Sequence, residues 1–292
     1  KGYRMKIFEL SKMIKIIINF ARYNLNSLFN IVAYPRYVVF YTTYRCNSHC
    51  KACNIWRGDD SEKIKDELTL NEIREIFSDS LFKKVINVNV QGGEATLRED
   101  LVDIVQVLIE ELPSLKVIGL TSNGLDAKTV VSQAKKILKL CIKNDIEFNV
   151  GISVDGVGKY HDFARGKGAF KKASKTITEL KKIKEKFPEF EVGTNCVVTA
   201  NNVYNIEEIE RWQKRVFGFN NISVVEFRDH FLNSPAIGDS LLFERNEKEK
   251  RMFIRWLTKK ISEKPPYSLQ YRYDQIKNML SKNKNRIQSC QY

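Results

Sequence analysis

Three of the chain's six cysteines, Cys46, Cys50 and Cys53, fall within eight residues at C-x3-C-x2-C spacing. Thiolates are soft ligands that select zinc, copper(I) or iron–sulfur centres, so a cluster this tight points to metal. A closed zinc tetrahedron needs a fourth ligand, usually from a second C-x2-C or a distant histidine pair. No second C-x2-C is present, and His49 reaches a shared ion only by folding back on its own loop. Zinc therefore remains the alternative. A [4Fe–4S] cubane suits the spacing better, because three cysteines hold three irons and leave the fourth open to a small molecule.

Polar landmarks follow at intervals: Gly92-Gly93-Glu94, Thr121-Ser122-Asn123-Gly124, Ser153-Val154-Asp155-Gly156, and His161-Asp162-Phe163-Ala164-Arg165-Gly166 leading to Gly168-Ala169-Phe170. A glycine pair lets backbone approach a ligand where no side chain would fit, and Glu94 sets a carboxylate beside it. Asn123, Ser153 and Asp155 suit hydrogen bonds to a ribose, with Asn202 as a weaker candidate. Each could equally cap a helix or shape a turn.

The elements that must position these residues alternate regularly. Strands are expected over 37–43, 85–91, 115–121, 146–154, 190–199 and 222–227. Helices are expected over about 69–77, opened by the capping box of Thr69 and Glu72, then 99–111, 128–143, a lysine-rich stretch after strand four, and 206–217. Six strands, the first five each followed by a helix, predict an α/β fold with a parallel sheet curled by right-handed crossovers. The cysteines follow strand one, Gly-Gly-Glu strand two and Ser-Asn-Gly strand three, while Ser153 and Asp155 close strand four. Chemistry in such barrels sits at the carboxyl ends of strands.

Together these motifs, in this order over residues 37–228, resemble the radical S-adenosylmethionine superfamily. The resemblance implies a partial (β/α)6 TIM-like barrel. It further implies a [4Fe–4S] cluster on Cys46, Cys50 and Cys53, and S-adenosylmethionine bound by Gly92, Gly93, Glu94, Asn123, Ser153 and Arg165. Gly-Gly-Glu would take the amino group of the methionine half, and Arg165 its carboxylate, a task suited to a guanidinium. Ala95 stands where the family usually carries proline. Reductive cleavage to a 5'-deoxyadenosyl radical would follow, with a flavodoxin or ferredoxin type of electron donor. Arg45, Lys51 and Arg57 are candidates to offset the charge of the cluster. The substrate is not legible: a peptide, a small metabolite and a lipid all stay open. Glu226, Arg228, Asp229 and His230, after strand six, either meet it or form a local salt bridge.

The net charge of +14 raises nucleic acid as a partner. None is expected, because much of the charge fills the polar faces of one helix, around an apolar stripe of Phe170, Ala173, Ile177, Leu180, Ile183 and Phe187. Clustered free thiols predict a reducing cytoplasm. Residues 1–36 form an amphipathic helical segment, with Lys12, Lys15, Asn19, Arg22 and Asn26 opposite Leu10, Met13, Ile14, Ile17 and Ala21. Its apolar run is shorter than the ~20 residues that span a bilayer. It either packs on this protein's own core or makes a peripheral contact with an anionic membrane. Cys141 and Cys196 are expected as buried structural thiols. Residues 229–292 form an extension with two helices near 247–260 and 271–282. Cys290, behind a basic segment, is either a lone thiol or the start of an auxiliary-cluster (SPASM/twitch-like) domain in a chain that continues beyond Tyr292.

Overall fold

A computed structural model describes residues 34–217, 222–224 and 241–282. The expectations for the amphipathic start, for Glu226, Arg228, Asp229 and His230, and for Cys290 lie outside these residues. The barrel opens with β1 (Tyr37–Tyr41), followed by the short α1 (Asp60–Lys65), α2 (Leu70–Ser78), β2 (Asn87–Gln91), α3 (Leu101–Glu111), β3 (Val117–Ser122) and α4 (Ala127–Lys143). It continues through β4 (Glu147–Ser153), α5 (Lys159–Arg165), α6 (Ala169–Lys184), β5 (Phe190–Val198), α7 (Ile206–Phe217) and β6 (Ile222–Val224). Two further helices, α8 (Glu247–Ser262) and α9 (Tyr267–Lys282), follow. The strands pair in sequence order, all parallel, from β1 to β6. This is the expected partial (β/α)6 barrel.

Strand patterning sets the two faces. In β2, Val88 and Val90 are buried in the layer shared with the helices, whereas Asn87, Asn89 and Gln91 alternate onto the opposite face. That lumen face is crowded in places: a Cβ on Gly119 of β3 would lie 2.8 Å from Asn89 Oδ1 and 3.0 Å from Asn149 Oδ1. The helices bury the complementary stripe, with Ile104, Leu108, Ala134, Ile137, Leu138, Ala173, Ile177 and Leu180 all in one core.

Local signals start the helices. Thr69 accepts from Glu72 N at 3.3 Å, and Glu72 Oε2 accepts from Thr69 N at 2.8 Å, so the predicted capping box is present. Asp126 caps α4 through Lys128 N and Thr129 N. The lysine-rich helix ends at Lys184, and Phe187, expected on its apolar stripe, is exposed. Pro188 follows Phe187, and a residue before proline is pushed out of the helical region. The helices α1 and α5, six and seven residues long, were not anticipated.

A second core closes the barrel's far edge. Phe243 stacks on Phe253 and Phe253 on Trp256, and these rings pack with Tyr273, Leu280 and the β5 residues Cys196 and Val198. Lys260 of α8 pairs with Glu210 of α7 at 2.8 Å. Cys141 and Cys196 are buried, as expected, and neither forms a disulfide. No helix among the described residues is long and apolar enough to cross a membrane.

The tightest junction lies just beyond β1 and β2. Gly93 N donates to Thr43 O and Glu94 N to Arg45 O, both at 2.8 Å, extending the ladder past the strand ends. A Cβ on Gly93 would stand 2.2 Å from Arg45 O, and one on Gly92 2.4 Å from Thr43 O. Backbone cannot yield as a side-chain tip can. Gly93→Ala is expected to destabilise the metal-free protein by about 2 kcal/mol or more, the cost of overpacking a rigid site. Urea unfolding of the variant against the parent measures it.

Candidate active site

The cysteine loop leaves β1 at a point held from below. Thr43 Oγ1 bonds to Glu67, whose carboxylate also takes Arg45 Nε at 2.8 Å. Arg98, buried, donates to Thr42 O at 3.1 Å, to Leu68 O at 3.0 Å and to both oxygens of Asp100. A shallow depression beside these groups, bounded by Ile64, Glu67, Arg98 and Asp100, lies behind the loop. Its charges already satisfy one another.

Glu94 ties two further strand ends to that point. Its side chain is buried, Oε2 accepts from Asn123 N at 2.7 Å, and Oε1 accepts from Thr96 Oγ1 at 2.6 Å. Burial raises its pKa, against the pull of these hydrogen bonds and one from Ser122. Gly92 meets the backbone of Thr43, and Gly93 the backbone of Arg45 and the Cβ of Cys46, so their lack of a side chain is required by the loop itself. Asn123, fixed through its own N–H, donates from Nδ2 to Asn47 Oδ1 at 2.7 Å and lies 3.9 Å from Cys46 Sγ.

Each thiol faces a donor. Ser48 N is 3.5 Å from Cys46 Sγ, Ile55 N is 3.5 Å from Cys53 Sγ, and Cys50 Sγ meets Ser48 Oγ at 3.1 Å and Arg165 Nη1 at 3.7 Å. Hydrogen-bond donors and a cation favour the thiolate, the form that ligates metal. Burial works the other way, pushing the Cys46 thiol up to about 12 and raising that of Cys53, so a metal bound there would have to displace protons. Among the described residues, no three His, Cys, Asp or Glu side chains gather around a point as a single ion would need. A cubane takes each thiolate on a different iron, so that requirement is not its own. Trp56, whose ring is tilted against that of His49 with centroids 4.7 Å apart, closes the loop by donating to Cys53 O at 2.8 Å.

The opposite wall comes from β4 and α5. Asp155 Oδ2 takes Arg165 Nε at 2.6 Å, and its Oδ1 accepts from Val197 N at 2.9 Å. Burial alone would lower the pKa of Arg165; Asp155 and Cys50 outweigh it and hold the guanidinium charged. Ser153, last in β4, sits half-buried in register with Asn195 of β5. Asn202 is a strut: Nδ2 donates to Asp155 O and Val197 O, and Oδ1 accepts from Thr199 N, all at 2.8 Å.

Of the candidates, the three cysteines, Glu94, Asn123 and Arg165 converge on one loop, Gly92 and Gly93 underpin it, and Ser153 lies at the neighbouring strand end. Arg45, Lys51 and Arg57 do not take the expected place against the thiols. Arg45 pairs with Glu67, Lys51 Nζ lies 3.2 Å over the Phe163 ring, and Arg57 lies over Trp56. Sequence reading missed Asn47 and Ser48, whose only signal was their place inside the cysteine motif, and Glu67, which had none.

A family model described as the Radical SAM superfamily matches residues 40–216. The chain is 30% identical over 175 residues to the pre-heme d1 synthase of Dinoroseobacter shibae, covering 59% of this chain and 39% of that protein. It is 32% identical over 125 residues to the GTP 3',8-cyclase of Pasteurella multocida, covering 41% and 36%. The chain thus spans well under half the length of these curated relatives. Among solved structures, native anSMEcpe with bound AdoMet superposes with a TM-score of 0.52 at 18% identity, over 85% of this chain and 62% of that one, which shows the shared fold.

His161 supplies a pH dependence. The ring is buried, Nδ1 accepts from Asp155 N at 3.1 Å, and Nε2 has no hydrogen-bond partner. Burial lowers its pKa to about 4, against a partial opposing effect of Asp155 and Asp162. Between about pH 4 and the unfolded value of about 6.5, the unfolded chain binds more protons, so stability rises with pH across this window. The contribution is complete above about 6.5 and is lost as pH falls towards 4. In His161→Gln, which keeps an acceptor for Asp155 N, the stability lost between pH 7 and pH 4.5 is expected to be smaller than in the parent by about 2 to 3 kcal/mol. Urea unfolding of metal-free protein at both pH values checks it.

Proposed function

The chain belongs to the Radical SAM superfamily, and from that premise we propose that it is an enzyme binding a [4Fe–4S] cluster through Cys46, Cys50 and Cys53, with S-adenosylmethionine beside it. The observation that carries this reading is the donor set: three free thiols on one loop, each faced by an N–H, a hydroxyl or a guanidinium, at the carboxyl end of β1. When bound, the cluster supplies the electron that cleaves S-adenosylmethionine to methionine and a 5'-deoxyadenosyl radical, which abstracts hydrogen from the substrate.

The chain's own residues bind and orient. Arg165 uses Nε on Asp155 and Nη1 on Cys50, which leaves Nη2 without a hydrogen bond among the described residues and suited to the carboxylate of the methionine half. The Gly92-Gly93-Glu94 segment, held rigidly under the loop, presents its backbone to the amino group. Glu94 acts there chiefly by fixing Asn123. Asn123 and Ser153, at neighbouring strand ends, offer hydrogen bonds to the ribose. A flavodoxin or ferredoxin type of carrier in a reducing cytoplasm would supply the electron. The substrate is a peptide or small molecule, or a lipid if residues 1–36 lie on a membrane.

Anaerobic reconstitution should yield about four irons per chain, and with reductant and S-adenosylmethionine the products should include 5'-deoxyadenosine. Both are expected to vanish in the triple Cys→Ala variant of residues 46, 50 and 53. Stoichiometric zinc without iron, or a full cluster that never yields 5'-deoxyadenosine, would overturn the reading.

A further inference from the structure

Arg165 and Asp155 form an ion pair with side chains only 13% and 11% exposed, and one end of it touches a thiol. Both members are fixed from several sides. Asp155 is held by Val197 N on its carboxylate, by His161 Nδ1 on its N–H and by Asn202 Nδ2 on its carbonyl. The main chain around Arg165 docks on the cysteine loop, where Lys51 N donates to Ala164 O at 2.9 Å and Ser48 Oγ to Arg165 O at 3.4 Å. A buried pair gains little stability over apolar packing, so its persistence here calls for another reason. The three nearby cations read from the sequence are engaged elsewhere, which leaves Arg165 as the cation aimed at a thiol among the described residues.

Charge and hydrogen bonds at the sulfur ligands set the reduction potential of iron–sulfur centres. A fixed positive charge favours the form with the extra electron, and a fixed negative charge opposes it. We propose that the Arg165–Asp155 pair is the device by which this chain sets the potential of its cluster, Arg165 raising it through Cys50 and Asp155 holding that rise in check. The inference rests on the cluster assignment made above. Arg165 is here a positioning and tuning residue in addition to any contact with the cosubstrate, so its effect must appear with no cosubstrate present.

The test is a redox titration followed by electron paramagnetic resonance, on reconstituted protein without S-adenosylmethionine, with iron counted for each variant. Arg165→Gln is expected to shift the potential to more negative values, Arg165→Lys to stay near the parent, and Asp155→Asn to shift it to more positive values. The double variant should fall between the two single ones. Opposite signs distinguish charge tuning from general loosening of the site, which would move both single variants the same way. Should Arg165→Gln fail to hold iron, an upward shift in Asp155→Asn still supports the proposal and an unmoved one overturns it. Full clusters with unchanged potentials, or shifts of one sign, overturn this inference alone. A parent protein that takes up no iron overturns the cluster assignment, and this inference with it.

Discussion

Everything at the site depends on the contact between two stretches of backbone where no side chain fits. Past the ends of β1 and β2, the carbonyls of Thr43 and Arg45 receive the N–H groups of Gly93 and Glu94, and the glycines let the chains close to that distance. The cysteine loop therefore starts from a rigid pedestal. From the same pedestal the Glu94 carboxylate reaches the N–H of Asn123, so the ends of β1, β2 and β3 form one hydrogen-bonded unit. A buried carboxylate is costly unless its hydrogen bonds are complete. That cost ties the position of Asn123, and through it Asn47, to the glycine pair.

The opposite wall is built from charge. Asp155 draws its partners from α5, from β5 and from the turn carrying Asn202, and Arg165 transmits this rigidity to Cys50. The thiols thus stand between a wall fixed mainly by main-chain hydrogen bonds and one fixed by an ion pair. Burial favours neutral thiols, while the N–H groups and the guanidinium favour thiolates. A loop balanced in this way holds its sulfurs in place, and a metal bound there would displace their protons.

The second aromatic core explains how an open barrel is finished at one edge. Helices α8 and α9 lay Phe253, Trp256, Tyr273 and Leu280 against the end of β5 and the start of α7. The Lys260–Glu210 pair fixes α8 beside α7. Because Val197 and Asn202 belong to that same β5 end, the packing of the C-terminal helices bears on Asp155 and so on the site.

The strands, the long helices and the capping box were legible because their signals are local. Alternation repeats every two residues, the Thr69–Glu72 box spans four, and the cysteine spacing is a property of one loop. Order along the chain also placed each polar landmark at a strand end, since parallel βα units bring successive carboxyl ends to one rim. What those residues touch was decided only by the fold. Arg165 and Cys50 are 115 positions apart, Asn123 and Cys46 are 77 apart, and no periodicity links either pair. The basic residues nearest in sequence to the thiols were misleading for the same reason. Arg45, Lys51 and Arg57 found Glu67, Phe163 and Trp56 as partners once the loop was folded, and the charge at Cys50 came from a short helix too brief to announce itself. Spacing determined that the thiols form one soft-ligand cluster; the closing of the barrel, which sets distances between strand ends remote in sequence, determined which side chains meet them.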